Sequence, residues 1–404
     1  MLVAVCALGV SQITAWGTSY YCLGVLAGPI AAATGWSRSL VYFGFTVALL
    51  AMGLVSAWVG RAIDRHGARG VMTLGTVLVS AGLYMLSLVK TEAAYLGVWV
   101  FLGIGMRLCL YDAAFAALVQ VVPSRRRLAI SYLTLFGAFA STVFWVVGHY
   151  LNEACGWRQT LVAFAAINLA VCLPLNWLGL ARREARRDCG DAAAAPDSRD
   201  GPPLEGTMRA VAMVLFALIM SLNGFVFGVV TVQLVPLLEA AGLATATAVW
   251  VASMKGFAQF AGRVVEIFFG QNLRSITVAR IVIGVLPASF LLLFLAGGNF
   301  HAILAFTLLM GASQGVITIV RGAVPLALFG ASGYGAVLGF IATPILVVNA
   351  ASPTLFAMIV DQWGWKAAEM ALVACAGASW IAIELMSRWY ERTRRHAPHV
   401  SRMR

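Results

Sequence analysis

Residues 59–71 read VGRAIDRHGARGV and decide how the chain is interpreted, because Arg61, Asp64, Arg65 and Arg69 crowd there between two runs without formal charge. The flanking uncharged runs, 39–60 and 70–89, are about 22 and about 20 residues, each enough at ~1.5 Å per residue to cross ~30 Å of hydrocarbon. The charged stretch therefore joins two membrane spans. Composition agrees, with 61% of the 404 residues hydrophobic and 11% charged, far from an ordinary soluble domain.

The same rule applied outward gives twelve spans, at roughly 3–27, 39–60, 70–89, 94–119, 128–150, 159–180, 210–233, 247–270, 276–296, 300–323, 335–358 and 367–387. All are expected to be helices, since lipid leaves a free backbone N–H or C=O unsatisfied. The eighth is interrupted by Lys255, Arg263 and Glu266, and only the turn Gly297, Gly298, Asn299 separates the ninth from the tenth. Residues 1–37 carry no charge and lack a basic leader region, so they read as a retained first span.

The 28 Lys and Arg residues fix the orientation. With the N-terminus inside, 20 fall on the cytoplasmic side (Arg61, Arg65, Arg69, Arg125–Arg127, Arg182, Arg183, Arg186, Arg187, Arg199, Arg209, Arg274, Arg280 and six from Arg388 on). Only Arg38, Lys90, Arg158 and Lys366 fall outside, the asymmetry expected of a multi-pass protein of a plasma or bacterial inner membrane with both termini cytoplasmic. The net charge of +12 is thus a topology signal, and no nucleic-acid partner is expected.

Residues 181–209 change composition to Arg, Asp, Ala, Pro and Gly, which reads as a cytoplasmic linker between a six-helix bundle at 1–180 and another at 210–388, with a basic tail at 389–404. The halves repeat. "GWR" at 156–158 recurs as "GWK" at 364–366; Gly17, Pro29 and Gly35 recur as Gly224, Pro236 and Gly242; Gly103 maps onto Gly311. Six spans preserve orientation, so the copies are related by an axis along the membrane normal. The seven cysteines form no CxxC motif and read as free thiols in or near spans.

Twelve spans, a 6+6 repeat, a polar central linker and the loop after span two together resemble the major facilitator superfamily of secondary transporters, over essentially the whole chain. The family's loop pattern is Gly-x-x-x-Asp-Arg-x-Gly-x-Arg/Lys, matched in register by Gly60, Asp64, Arg65, Gly67 and Arg69, with Ala68 where many members carry another basic residue. Elementary chemistry explains the glycines as a tight turn and the arginines as topology anchors. Asp64 is not covered by either need; the resemblance implies that it and its basic neighbours latch the two halves on the cytoplasmic side.

Charges inside spans normally face a cavity or a partner. Arg107 falls near the midplane of span four as a substrate or gating candidate; Asp112, five positions on, lies off the same helical face, so the two need not pair. In span eight Lys255, Gln259 and Arg263 follow at i, i+4 and i+8 as one polar stripe expected to line a cavity; Glu266 can pair with Arg263, which leaves Lys255, without a local acid, as the better ligand candidate. Arg321 lies towards the cytoplasmic end of span ten, as a snorkelling or gating residue, and Glu384 with Arg388 reads as an interfacial pair. Tyr20, Asn223, Gln233, Gln314 and Asn349 are uncharged candidates for the cavity wall.

Deep cations outnumber deep acids, which tilts the cavity towards an anion. "GWSRS", "AGR" at 261–263 and "LFGASGYGAVLG" also resemble the monocarboxylate and oxalate/formate branch of the superfamily, which implies a carboxylate and proton role for Arg263 and Glu266. The expectation is a monomeric, proton-coupled symporter of a small organic anion, with no cofactor or metal, working by alternating access within the bilayer. The alternative is a proton-antiport exporter of drugs or toxic compounds, against which span five lacks the antiporter pattern GxxxGPxxGG. An enzyme is disfavoured because the five histidines are scattered and no phosphate loop or nucleophile elbow is present.

Overall fold

The computed structural model describes residues 1–123, 125–181, 200 and 202–396, so most of the expected linker and the end of the basic tail lie outside the described residues. Fourteen α-helices follow one another: α1 (Leu2–Ala15), α2 (Leu23–Thr34), α3 (Arg38–His66), α4 (Ala68–Leu88), α5 (Glu92–Cys109), α6 (Tyr111–Val121), α7 (Arg126–Gly137), α8 (Ala140–Ile167), α9 (Leu173–Gly179), α10 (Gly206–Ala240), α11 (Thr245–Phe269), α12 (Ser275–Leu295), α13 (Phe300–Phe329) and α14 (Tyr334–His396).

These helices make twelve spans. Among the described residues nine helical runs are long and apolar enough to cross a bilayer, and two of them, Arg126–Gly179 and Tyr334–Arg392, are of double length. Each double run is broken by one residue outside helical geometry, Gly156 at φ 77° and Gly364 at φ 80°. Counting these twice and adding α11, whose three charges make it less apolar, gives the twelve. A side chain at either φ is strained, which is why both copies of the repeat carry glycine there.

The rest of the repeated tripeptide has a structural use as well. Arg158 donates to the carbonyls of Ser87 and Val89 at the C-terminal end of α4, the second at 2.9 Å. Lys366 donates to Phe294 O at the C-terminal end of α12, at 3.2 Å. Both cations thus satisfy orphan carbonyls at the negative end of a helix dipole, at equivalent places in the two halves. The repeat extends to packing. Gly103 lies so close to Ala48 O that a Cβ would sit 2.4 Å away, and its counterpart Gly311 approaches Lys255 O to 2.9 Å on the same measure.

Helix ends at His66, Gly179 and Gly206 share one face of the molecule with Gly67, here termed the linker face. There a buried apolar cluster crosses between the halves, joining Val59 and Ile63 of α3 to Tyr334 and Leu338 of α14. Gly67 makes the turn expected of it, at φ 83°. Gly60 does not: α3 continues to His66, and Gly60 instead lets the backbone of Gly335 approach until a Cβ would lie 2.1 Å from its carbonyl oxygen. Gly335 and Gly339, from the stretch LFGASGYGAVLG, are the matching flat places on α14.

Candidate functional site

Span four is two helices rather than one. Leu110 is extended at φ −80°, ψ −167°, ending α5 and starting α6, and Gln12 Nε2 donates to the Cys109 carbonyl there at 2.8 Å. Arg107 occupies the last turn of α5 and Asp112 the first turn of α6, so each charge sits at the helix end whose dipole favours it. The two side chains form a buried ion pair, against the expectation that their spacing keeps them apart, because the extended residue resets the helical phase. Arg321 Nη2 reaches the same Asp112 oxygen at 2.6 Å from α13. Of the two roles expected for Arg321, snorkelling or gating, this bond across the two halves is compatible with the second.

This triad lines a central cavity of about 470 Å³ between the halves, together with Arg263 and Gln259 of α11. Arg263 donates to Gly315 O at 3.2 Å and to Thr134 O at 3.0 Å, and no carboxylate neutralises it in these contacts. Its expected partner Glu266 points elsewhere. Lys255 is not among the lining residues; its Nζ lies 5.7 Å from the Phe227 ring centre, so the i, i+4, i+8 stripe contributes only its second and third members to the cavity. Three arginines and one aspartate leave the lining with a formal surplus of two positive charges.

The remaining wall combines aromatic rings and amides. A π-helical turn at Trp16–Tyr20 widens span one and turns Trp16, Tyr20 and the following Tyr21 to the cavity, a common device where a helix must present side chains off its regular phase. Tyr111 stacks on Phe115, with a centroid distance of 5.3 Å, and meets Trp16 at a tilt, with a centroid distance of 4.9 Å. Asn223, Gln314 and Asn349 line the wall; Gln233 does not. Both polar atoms of Gln314 and the Asn223 carbonyl oxygen are buried without a hydrogen-bond partner, as is fitting for groups that a solute or water would satisfy.

Below the cavity the halves are tied together on the linker face. Arg127, counted as a loop charge from the sequence, is buried; it donates to Glu266 Oε1 at 3.2 Å, Gly270 O at 2.8 Å and Leu273 O at 2.7 Å. Ser131 adds a bond to Glu266 Oε2 at 2.8 Å. Asp64 accepts from the backbone N–H groups of Gly335 and Ala336, at 2.9 and 2.7 Å, at the start of α14. Its basic neighbours take no part in that bond: Arg69 stacks on Trp177 and donates to its carbonyl, and Arg61 bonds back to Ala57 O. Glu384 likewise pairs with Arg280 through two bonds of 2.7 and 2.8 Å rather than with Arg388, because span nine lies alongside span twelve.

Twelve spans in two similar sets around a polar cavity, with the loop acid bonded across to span eleven, make a fold that can be compared with known proteins, and residues 9–287 match the family model described as Major Facilitator Superfamily. The chain belongs to this family. Among curated relatives it is 26% identical over 220 residues to the "Uncharacterized MFS-type transporter YcxA" of Bacillus subtilis, covering 52% of this chain and 51% of that one. It is 26% identical over 170 residues to the "Multidrug resistance protein MdtL" of Escherichia coli O127:H6, covering 42% and 43%. The chain thus spans about half the length of the curated relatives it matches. Among solved structures, the human organic anion transporter MFSD10 (TETRAN) superposes with a TM-score of 0.74 at 16% identity, over 95% of this chain and 99% of that one. The proton:xylose symporter XylE gives 0.73 at 13%, over 94% of each.

For this superfamily member the contact between Gly60 and Gly335 makes a sharp prediction. Gly60→Ala would drive a methyl group into a backbone carbonyl that no rotamer change can move, so α3 and α14 must part. The expected outcome is a longer distance between spin labels placed on the linker-face ends of α3 and α14, with insertion unchanged; an unchanged distance would show that the close approach is dispensable.

Proposed function

We propose that the protein is a secondary active transporter of a small organic anion, working by alternating access of the two halves around the central cavity and coupled to protons. One observation carries the reading: three arginines against one aspartate line the cavity, and Arg263 meets only carbonyl oxygens there. A buried cation without a counter-ion is costly, and a bound anion would offset that cost. Arg107, Arg263 and Arg321 are the proposed anion-binding groups, Gln259 a neighbour on the same wall, and Asp112 or Glu266 the proton-exchanging carboxylate. Lys255 falls outside this core of the site. Gly60, Asp64, Arg65, Gly67 and Arg69 form the proposed gating loop, in which Asp64 acts on α14 directly.

The proposed setting is a plasma or bacterial inner membrane, with the linker face cytoplasmic, as the sequence's basic residues favour, and the protein acting as a monomer. The proposed units are bundles at 1–180 and 210–388, joined by 181–209 and followed by a tail at 389–404. A second reading, proton-antiport export of drugs or toxic compounds, draws on the aromatic lining and on the name of the relative MdtL.

The test is a vesicle reconstitution with an entrapped pH dye. Small mono- and dicarboxylates are expected to drive internal acidification above protein-free vesicles, and Arg263→Gln, which breaks no ion pair, is expected to raise the apparent KM about 10- to 100-fold, the worth of one charge-assisted hydrogen bond. Acidification by no carboxylate, with flux of cationic or neutral amphiphiles instead, would transfer the assignment to the exporter.

A further inference from the structure

A second hollow, of about 560 Å³, lies between the other ends of the same spans. Its walls are the first third of α3 (Leu40, Phe43, Thr46), Val232 of α10 and Pro353 of α14. This half of the interface is opposite the linker face, and the bonds that tie the halves near Arg127 and Asp64 are far along the helices from it. The lining is mostly apolar, although Ser39, Thr46 and Thr354 belong to it as well as Thr231, whose hydroxyl is turned back onto Phe227 O at 2.7 Å. Tyr42 and Phe43 are half exposed and Val232 is 60% exposed, so the cleft opens at the surface of the molecule between α3 and α10.

Two residues, Tyr20 and Asn349, line both this cleft and the central cavity. Tyr20 is held at the junction by ring contacts on either side, to Trp16 of the cavity at 4.6 Å and edge-on to Phe45 of the cleft at 4.7 Å. The two hollows are therefore neighbours through one side chain from each half. Gly228 keeps α10 pressed on α14 beneath the cleft, where a Cβ would lie 2.0 Å from Ser352 Oγ.

We propose that the transported anion is amphipathic, with its carboxylate among Arg263 and Arg321 and an unbranched alkyl tail lying past Tyr20 and Asn349 in this cleft. The inference rests on the anion reading of the cavity and adds the chemistry of the rest of the solute. The head meets the surplus positive charge; the tail, passing between Tyr20 and Asn349, meets a mostly apolar cleft that borders the cavity. The cleft also gives a solute dissolved in the bilayer a lateral way into the cavity. Each methylene buried there should tighten binding about fourfold.

The experiment uses the full chain in lipid nanodiscs, titrated calorimetrically with straight-chain carboxylates of two to ten carbons, with heats from empty nanodiscs subtracted. The expected result is an affinity that climbs about fourfold per methylene and then levels off once the cleft is filled. Acetate binding with no gain along the series would overturn the tail site while leaving the anion reading intact; binding of no carboxylate at any length would overturn both. Thr46→Trp and Val232→Trp, each filling the cleft from one wall, locate the tail. The ratio of octanoate to acetate affinity, which is insensitive to the fraction of folded protein, should fall towards one in both, and an unchanged ratio in both would overturn the assignment to this cleft.

Discussion

Asp112→Asn is expected to lower the unfolding temperature, tighten anion binding and slow transport at once, and the added change Arg107→Gln is expected to reverse the first two. Asp112 is the one carboxylate among the charges lining the cavity and it accepts from two arginines. Arg107 is only 4% exposed and its Nε already lacks a partner. Breaking a buried pair from one side leaves an uncompensated charge at about 3 to 5 kcal/mol. Arg321, whose side chain is 26% exposed, can turn to cavity water and so suffers less. The lining would then hold three positive charges against none, so an anion binds more tightly and leaves more slowly, which reads as a lower Kd with a lower maximal rate. Arg107→Gln with Asp112→Asn returns the surplus to two charges and replaces the ion pair with a neutral amide pair of similar shape. Recovery of stability and affinity without recovery of rate would assign the proton-exchanging role to Asp112; recovery of the rate as well would leave that role to Glu266. Thermal unfolding in nanodiscs and flux from vesicles made from the same preparation decide between these outcomes.

The sequence shows the frame of this molecule more readily than its site, for physical reasons that differ residue by residue. Span length and basic asymmetry are set by the bilayer, which acts on whole segments, so runs of apolar residues suffice to find them. The repeated glycines are legible because positive φ admits few other residues, and Gly156 and Gly364 do break the two double-length helical runs. Leu110 gives no such sign. Neither glycine nor proline marks the break in RLCLYD, so Arg107 and Asp112 read as residues of one regular helix, on different faces. Arg263 and Glu266 mislead in the opposite way. Their i, i+3 spacing predicts a local pair, but each finds a partner across the interface, Thr134 O for one and Arg127 with Ser131 for the other. Arg127 itself sits in a run of three arginines that looks like any cytoplasmic loop. The signal that could separate it from Arg125 is the register of α7, which puts Arg127 and Ser131 one turn apart on a single face. Trp16, Tyr21 and Tyr111 are invisible as site residues because aromatics in an apolar helix pack just as well into protein as around a cavity, whereas Tyr20 is expected on the wall and lines it.

Arg127→Ala is expected to open the linker face far more than Asp64→Asn does, although Asp64 belongs to the recognisable motif and Arg127 does not. Both acids bridge the halves at equivalent places, since α7 and α14 begin spans five and eleven of their respective halves. Counting along the repeat, the position matching Asp64 is Gln271, so Glu266 lies more than one helical turn deeper in the membrane. Depth decides the energetics. Asp64 is exposed, and water can replace its two backbone donors when the halves separate, which limits the loss to about 1.5 kcal/mol, or roughly tenfold in the conformational ratio. Glu266 is 3% exposed; without Arg127 it keeps only Ser131 and is a buried anion in the closed form alone. A penalty of about 3 kcal/mol confined to one conformation moves the equilibrium by roughly 100-fold. The measurement is a distance distribution between spin labels at Arg125 and Arg274, on a background in which the native cysteines are replaced. Arg127→Ala should move most of the population to the longer distance and Asp64→Asn a minor part of it, while Glu266→Gln, which removes the charge and keeps a hydrogen-bonding group for Arg127 and Ser131, should fall between. If the three variants rank with Asp64→Asn first, the exposed loop acid rather than the buried pair holds the halves closed, and the deep ion pair serves packing alone.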